Sequence, residues 1–363
     1  MQRGFLKLRE LVSSYGAAVS TARRKGEFNA LQALQSVLLS RFRYGFGPRF
    51  YSLFEFYGKP QADWKNYLLD ESLKVVLRRI NPLAQRDVVN DKIKFAEHCV
   101  RRQLDAIPVV CSIDRARAKG ARGVEVVRTE DEWFSLIGSG PDELFFKLID
   151  GTWGVKAFSA KLQSSGEWSF CGRSGSARDL YAFAMSRLES DRGWLVQPRI
   201  RPHQTLQKVM SPKGLGTLRI VTLMRKGVPE IVFSVLRIPV GENQADNLFH
   251  GASGNLVAAV DLITGCLDKA RASASRSWPI IVDVDEHPET GFQISGVVVP
   301  FWSETKALVL RAHRSLPGLV TLGWDVAVTD GGPLLVEANA TYDVDLLQVA
   351  LRRGVRSDIE CLF

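Results

Sequence analysis

Apolar positions recur at helical spacing through the first 85 residues. In GEFNALQALQSVLLSRF, Phe28, Leu31, Leu34 and Leu38 fall on one side of a helix. GFGPRF (45–50) breaks the pattern, and DESLKVVLRRIN (70–81) resumes it with Asp70 placed as an N-cap. NDKIKFAEHCVRRQLDAIPVV predicts a helix capped by Asn90 or Asp91 and running to about Asp105, followed by the short strand IPVV. Between 122 and 200, the strands LFFKLI, WGVKAF and GWLVQPRI mix with the helix ARDLYAFAMSRLES. From 214 the period shortens to two: GTLRIVTLM and EIVFSVLRIPV flank RKGVP as a hairpin, and GNLVAAVDLITGCLDKA is another strand-and-turn unit. SETKALVLRAHRSL is an amphipathic helix, GWDVAV and LLVEANA form a second hairpin around DGG, and DVDLLQVALRRG is a last helix stopped by Gly354. Without regular βαβ alternation the fold class is α+β rather than a doubly wound sheet. The expected division is a helical extension (1–85), a mixed segment (86–200) and a strand-rich segment (201–363).

Composition changes this picture little. The 363 residues are 45% apolar and 24% charged, as in ordinary globular chains. No stretch approaches the roughly 18–20 apolar residues of a membrane span, and the first residues lack a signal-peptide core. Five scattered cysteines without metal spacing suit a reducing compartment, so a cytoplasmic protein is expected. The net charge of +9 is uneven: residues 1–50 carry nine Lys and Arg against Glu10 and Glu27. Such an extension suits an anionic membrane surface, nucleic acid or an acidic partner, or is simply a solvated helix face. The nearly neutral remainder argues against nucleic acid as a partner.

The second hairpin carries the most pointed chemistry. Trp324, Val326 and Val328 share one face, Asp325 the other, while Leu335, Glu337 and Asn339 share a face of the return strand. A three-residue DGG loop sets 329 opposite 333, and therefore Asp325 opposite Glu337. Opposed carboxylates repel unless they share a proton or a cation. The amide oxygen of Asn339 makes a hard-oxygen set suited to Mg2+, which typically bridges to nucleotide phosphates. The plain alternative is a solvent-facing strand edge.

Phosphates need cationic partners, and no P-loop or Rossmann fingerprint is present. Lys147 lies inside the apolar LFFKLI, where an unpaired ammonium is costly. Gly151 and Gly154 around Thr152, followed by Lys156, form a loop able to present N–H groups, or an ordinary turn. Arg219 in GTLRIVTL is either a fork for phosphoryl charge or half of an ion pair. His250 is a candidate for proton transfer or a structural histidine, and Asn247 with Asp246 is a candidate acceptor contact.

In this order the motifs resemble the ATP-grasp superfamily, and within it the sugar-transfer-associated group, over roughly residues 50–350. The resemblance rests on YLLDESLKVVLRRIN…NDKIKF, IRPHQTL…GTLRIVTL, DNLFHGASGNLVAAVDLITG, HPETG and LGWDVAVTDGGPLLVEAN. It implies two α+β subdomains clamping ATP, with Mg2+ or Mn2+ on Asp325, Glu337 and Asn339. It also implies Lys92 and Lys147 as phosphate lysines, an adenine hinge at Gln197, Arg199 and Ile200, and a ribose contact at Gln204. The activity it implies is that of a ligase that converts a small-molecule carboxylate to an acyl phosphate, which an amine or other nucleophile attacks. Arg219 and Lys147 are then catalytic. A small-molecule kinase and a nucleotide binder without catalysis are the alternatives. The sequence departs from the group at DGTWGVKAF, which is poor in glycine with Trp153 at its centre, and at ATYDVD after Asn339. There Tyr342, Asp343 and Asp345 either shape an acceptor pocket or, for the two acids, cap the last helix.

Overall fold

The computed structural model describes residues 2–114, 124–149, 157–188, 193–243 and 246–363. Helices come first: α1 (Gln2–Lys25), α2 (Ala30–Tyr44), α3 (Pro48–Leu53), α4 (Asp70–Ile80), α5 (Leu83–Asn90) and α6 (Lys92–Arg101). A mixed segment follows, with β1 (Cys111–Ile113), β2 (Val126–Val127), α7 (Glu130–Ile137), β3 (Glu143–Leu148), β4 (Phe158–Leu162), β5 (Trp168–Phe170), β6 (Arg173–Gly175), α8 (Ala177–Ser186) and β7 (Trp194–Pro198). The remainder is α9 (Gln204–Gln207), β8 (Leu218–Arg225), β9 (Val228–Ile238), β10 (Leu256–Ala259), β11 (Ala270–Ser273), β12 (Ile281–Val284), α10 (Trp302–Arg314), β13 (Thr321–Thr329), β14 (Gly332–Asn339) and α11 (Asp345–Leu351).

Two sheets result. The smaller runs β2-β1-β7-β3-β4-β5-β6 and the central one β12-β11-β10-β9-β8-β13-β14. Strand alternation gives the central sheet two different faces. Leu218, Ile220, Leu236, Trp324 and Val326 pack with Leu308, Val309 and Ala312 of α10. On the opposite face, Val221, Leu223, Phe233 and Val235 meet Tyr51, Phe56, Trp64 and Leu73 of the N-terminal helices and Leu347 of α11. That second face also bears the charged residues of the site. The smaller sheet is closed by Trp133, Phe146, Phe158, Leu180 and Trp194, with Phe146 and Phe158 stacked at 4.5 Å between ring centroids.

Local chemistry explains where the elements differ from the sequence expectation. Asp91 caps α6, accepting the N–H groups of Ile93 and Lys94, but the helix ends at Arg101, and Asn90 closes the unforeseen α5. IPVV is no strand. Pro108 has no N–H to give, β1 begins at Cys111, and Ile107 N–H instead reaches the Leu335 carbonyl at 3.0 Å. In α2 the buried side is Ala33, Val37 and Ser40, whereas Leu31 and Leu34 are 64% and 39% exposed. Ala33 and Val37 of α2 join Ala18 and Ala22 of α1 in one core.

Asp70 does not cap α4, whose N-cap is Leu69. Its Oδ1 accepts the N–H groups of Val344 at 2.6 Å and Asp345 at 3.0 Å, capping α11 from across the chain. Asp343 instead pairs with Lys74 at 2.7 Å, and Asp345 takes the Leu346 N–H and the His250 ring. Gly354 is not the helix stop either: Arg352 turns left-handed at φ 60°, and a Cβ at Gly354 would collide with the Asn66 carbonyl. The predicted strand WGVKAF lies mostly outside the described residues, with Phe158 opening β4. Helix α7 and the β5–β6 hairpin were not foreseen.

Candidate active site

The β13–β14 ribbon reaches the expected pairing by an unexpected path. Its loop is Asp330–Gly331 rather than DGG, so Thr329 faces Gly332 and Val326 faces Leu335. A bulge at Val336 then shifts the register, and Asp325 faces Glu337 after all. The bulge also corrects the expected faces. Leu335 and Ala338 enter the core, while Glu337 and Asn339 line the cleft on the other side. Asn339 donates its amide N–H to Glu337 Oε1 at 3.3 Å.

Asp325 is 3% exposed and sits between two guanidinium groups. Arg219, its cross-strand neighbour, donates Nε to Oδ1 at 2.6 Å, and Arg237 Nη2 lies 2.7 Å from Oδ2. Arg219 is therefore committed to Asp325, the ion-pair alternative, and acts on the cleft by positioning that carboxylate. Arg237 is held in turn by Thr217 Oγ1 at 2.5 Å, Asp246 at 3.3 Å and Asn247 Oδ1 at 3.2 Å. Asp246 also accepts the Thr217 N–H and hydroxyl. Asn247 thus lines the cleft as a clamp on Arg237. Sequence reading missed Arg237 and Thr217, although Arg237 is a lone cation in an apolar strand, the same signal that marked Arg219.

The two carboxylates respond oppositely. Burial raises the Asp325 pKa, but Arg219 and Arg237 outweigh it and hold the carboxyl well below its ordinary range. Glu337 is raised by burial and then by Asp325, with Lys147 and Lys92 pulling the other way. Lys147, on β3, is half-buried, and burial brings its ammonium down to about 8 against the attraction of Glu337. Lys92, first residue of α6, donates to the Ile149 carbonyl at 3.3 Å.

The cleft between the sheets has a volume of about 620 Å³. Gln197, Arg199 and Ile200 line it, with Gln197 4% exposed and the Arg199 N–H bound to the Glu143 carbonyl at 2.9 Å. Helix α4 supplies an unforeseen part of the wall, through Glu71, Lys74 and Arg78. Three sequence candidates stand elsewhere or act otherwise. Gln204 is exposed, not part of the lining, and gives its N–H to Asp330 at 3.0 Å at the outer end of the ribbon. His250 pairs with Asp345 at 2.6 Å and packs edge-on against Phe50, away from the lining. Tyr342 borders the cleft but is 2% exposed; its hydroxyl meets Thr321 Oγ1 at 3.0 Å, and its side chain fills the space that Gly323 leaves free. Gly151, Thr152, Gly154 and Lys156 lie outside the described residues.

A divalent cation fits the ribbon. Asp325 is buried and Glu337 half-buried; they face each other and interact directly, and Glu337 is pushed toward its neutral form. A bound cation removes that conflict, and the Asn339 carbonyl oxygen completes a hard-oxygen donor set.

No curated protein matches the chain. Among solved structures, the biotin carboxylase domain of Hydrogenobacter thermophilus 2-oxoglutarate carboxylase, in complex with MgADP, is 11% identical at a TM-score of 0.38, covering 73% of this chain and 46% of that one. A D-cycloserine synthetase is 12% identical at a TM-score of 0.43, covering 87% and 82%. Campylobacter jejuni biotin carboxylase is 9% identical at 0.43, covering 78% and 52%. The chain thus spans about half the length of the two carboxylases. A family model, described as sugar-transfer associated ATP-grasp, matches residues 74–361, from within α4 to the last residues, and the chain belongs to that family and has its ATP-grasp fold.

Proposed function

We propose that the cleft binds ATP with Mg2+ or Mn2+ and activates a small-molecule carboxylate for attack by an amine or another nucleophile. The observation that carries this reading is the meeting of two walls: Asp325, Glu337 and Asn339 on the central sheet face the cleft that Lys147 and Lys92 line from the other side. Asp325, Glu337 and Asn339 would hold the cation, which when bound offsets charge on the phosphates. Lys92 and Lys147 bind phosphate oxygens, and the segment from Gln197 to Ile200 borders the base. A substrate carboxylate oxygen attacks the γ-phosphorus, the bond to the bridging oxygen breaks, and ADP leaves. The nucleophile then attacks the acyl carbon, loses a proton and expels phosphate. Arg78 on α4 adds positive charge to the cleft wall, beside Lys74, which Asp343 already pairs at 2.7 Å, and this part of the lining would receive the carboxylate substrate. Arg219 and Arg237 keep Asp325 ionised and oriented. Catalysis is positioning and charge neutralisation, with no covalent enzyme intermediate.

Glu337→Ala is expected to abolish cation-dependent ADP formation while circular dichroism and thermal unfolding stay close to the parent. Full turnover in that variant overturns the assignment. Product analysis separates reaction types: a ligase yields ADP, phosphate and an amide or equivalent, whereas a kinase yields ADP and a phosphoester without free phosphate.

A further inference from the structure

Helix α2 turns its largest apolar side chains outward. Leu31, Leu34, Leu38 and Phe42 are spaced so that they share one side of the helix. Leu31 is 64% exposed, Leu34 39% and Phe42 82%, and Leu38 is half-buried. The opposite side, Ala33, Val37 and Ser40, is the one packed into the protein. This inverts the usual amphipathic arrangement, in which the large apolar stripe faces the core. The stripe is neither needed for the fold nor covered by any described element.

Its surroundings indicate what covers it. Arg23, Arg24 and Lys25 end α1, one short loop before Leu31. Arg41 and Arg43 flank Phe42 at the other end. Among the described residues none of these five is paired with a carboxylate. Arg24 and Arg41 donate only to backbone carbonyls, and Arg43 lies over the Tyr44 ring. The stripe is thus bracketed by unneutralised positive charge, in a segment holding most of the protein's excess of basic residues. A second copy of the chain would bring like charge against like charge, whereas an anionic bilayer surface satisfies both parts: side chains enter the acyl boundary and cations meet headgroups. No described helix is long and apolar enough to cross a membrane.

We propose that α2 docks this enzyme on anionic phospholipid surfaces, with Leu31, Leu34, Leu38 and Phe42 inserted at the interface and the flanking Arg and Lys on headgroups. The site is distinct from the cleft and does not depend on the reaction assigned to it. The test is co-sedimentation of the full chain with phosphatidylcholine vesicles, with and without phosphatidylglycerol. Sedimentation with the phosphatidylglycerol vesicles, absent with phosphatidylcholine alone and weakened by salt, is expected. Arg41→Gln with Arg43→Gln should weaken partitioning about tenfold or more. Leu34→Asp with Phe42→Asp should abolish it, with unchanged thermal unfolding because these side chains point outward. Wild-type protein that stays in the supernatant, or variants that sediment as wild type does, overturn the proposal. So does a stable dimer by light scattering that Leu34→Asp dissolves, since the stripe then belongs to a second copy.

Discussion

On the central sheet Asp325 is buried and gripped by Arg219 and Arg237, which are themselves 6% and 4% exposed. Across the cleft Lys147 is only half-buried and, among the described residues, makes no ion pair. One wall pairs Asp325 internally, and the other leaves a cation whose largest attraction is to Glu337 on the facing wall. The difference matters because a buried, fully paired network is rigid and costly to break, whereas a desolvated lone ammonium is costly to keep and gains most from an arriving anion. On the proposed function, the central sheet sets geometry and the smaller sheet supplies affinity.

Removing the centre of the paired wall is the harshest test. Asp325→Ala leaves two guanidinium groups buried around an empty position. Glu337 and Asp246 compensate only in part. A loss of about 3–5 kcal/mol in urea unfolding is expected, together with loss of activity. A variant within about 1 kcal/mol of the parent would show that the network is not the rigid element described.

Lys147→Met should do the reverse. It removes an ammonium that burial already disfavours, so stability stays within about 1 kcal/mol, while ATP affinity falls roughly tenfold to a hundredfold, the value of a charged hydrogen bond. Isothermal titration reads the second effect and thermal unfolding the first. The pH dependence sharpens the point. With the Lys147 pKa lowered to about 8, wild-type ATP affinity should decline as pH rises above that value. Lys147→Arg, charged throughout, should flatten the decline. In the nucleotide-free protein the unfolded chain binds more protons than the folded one between about 8 and the ordinary lysine value. Stability there should rise with pH. Loss of stability in Lys147→Met without loss of affinity would dissolve the contrast between the walls.

How much of this was legible in the sequence varies residue by residue. Lys147 and Arg219 were visible as cations inside apolar strands, because unpaired charge is costly there. The opposition of Asp325 and Glu337 was reached by counting through a three-residue loop. The chain uses a two-residue loop and a bulge at Val336, and the two differences cancel. The face of Leu335 was misjudged because the bulge changes strand parity, and nothing in PLLVEAN marks it. Phe28, Leu31, Leu34 and Leu38 mark a helix, but periodicity does not show which side of it a neighbour covers. Arg237 needed only the rule already applied to Arg219. Asp70 was beyond local reasoning, because the N–H groups it accepts belong to residues 274 and 275 positions along the chain.

That Asp70 contact sets the smallest expected effect and asks which wall α4 belongs to. Asp70 joins α4, which carries Lys74 and Arg78 into the cleft, to α11 behind the central sheet. Burial, then Asp345 and Asp343, lift its carboxyl to about 7, while the hydrogen bond that the neighbouring His250 ring donates to Asp345 raises that ring. Both groups are raised in the folded protein, so both contribute stability at low pH that is lost as pH rises through their folded values. Unfolding between about pH 6 and pH 8.5 should therefore show stability falling by on the order of 1 kcal/mol as Asp70 ionises and His250 loses its proton. Asp70→Asn keeps an oxygen able to accept the Val344 and Asp345 N–H groups but cannot ionise. It should lessen the slope and be more stable than wild type at the upper pH. An unchanged slope would assign the pH dependence to other groups. A loss of stability at both pH values would mean that the charge, rather than the oxygen, holds α4 to α11, and that α4 belongs with the internally paired wall.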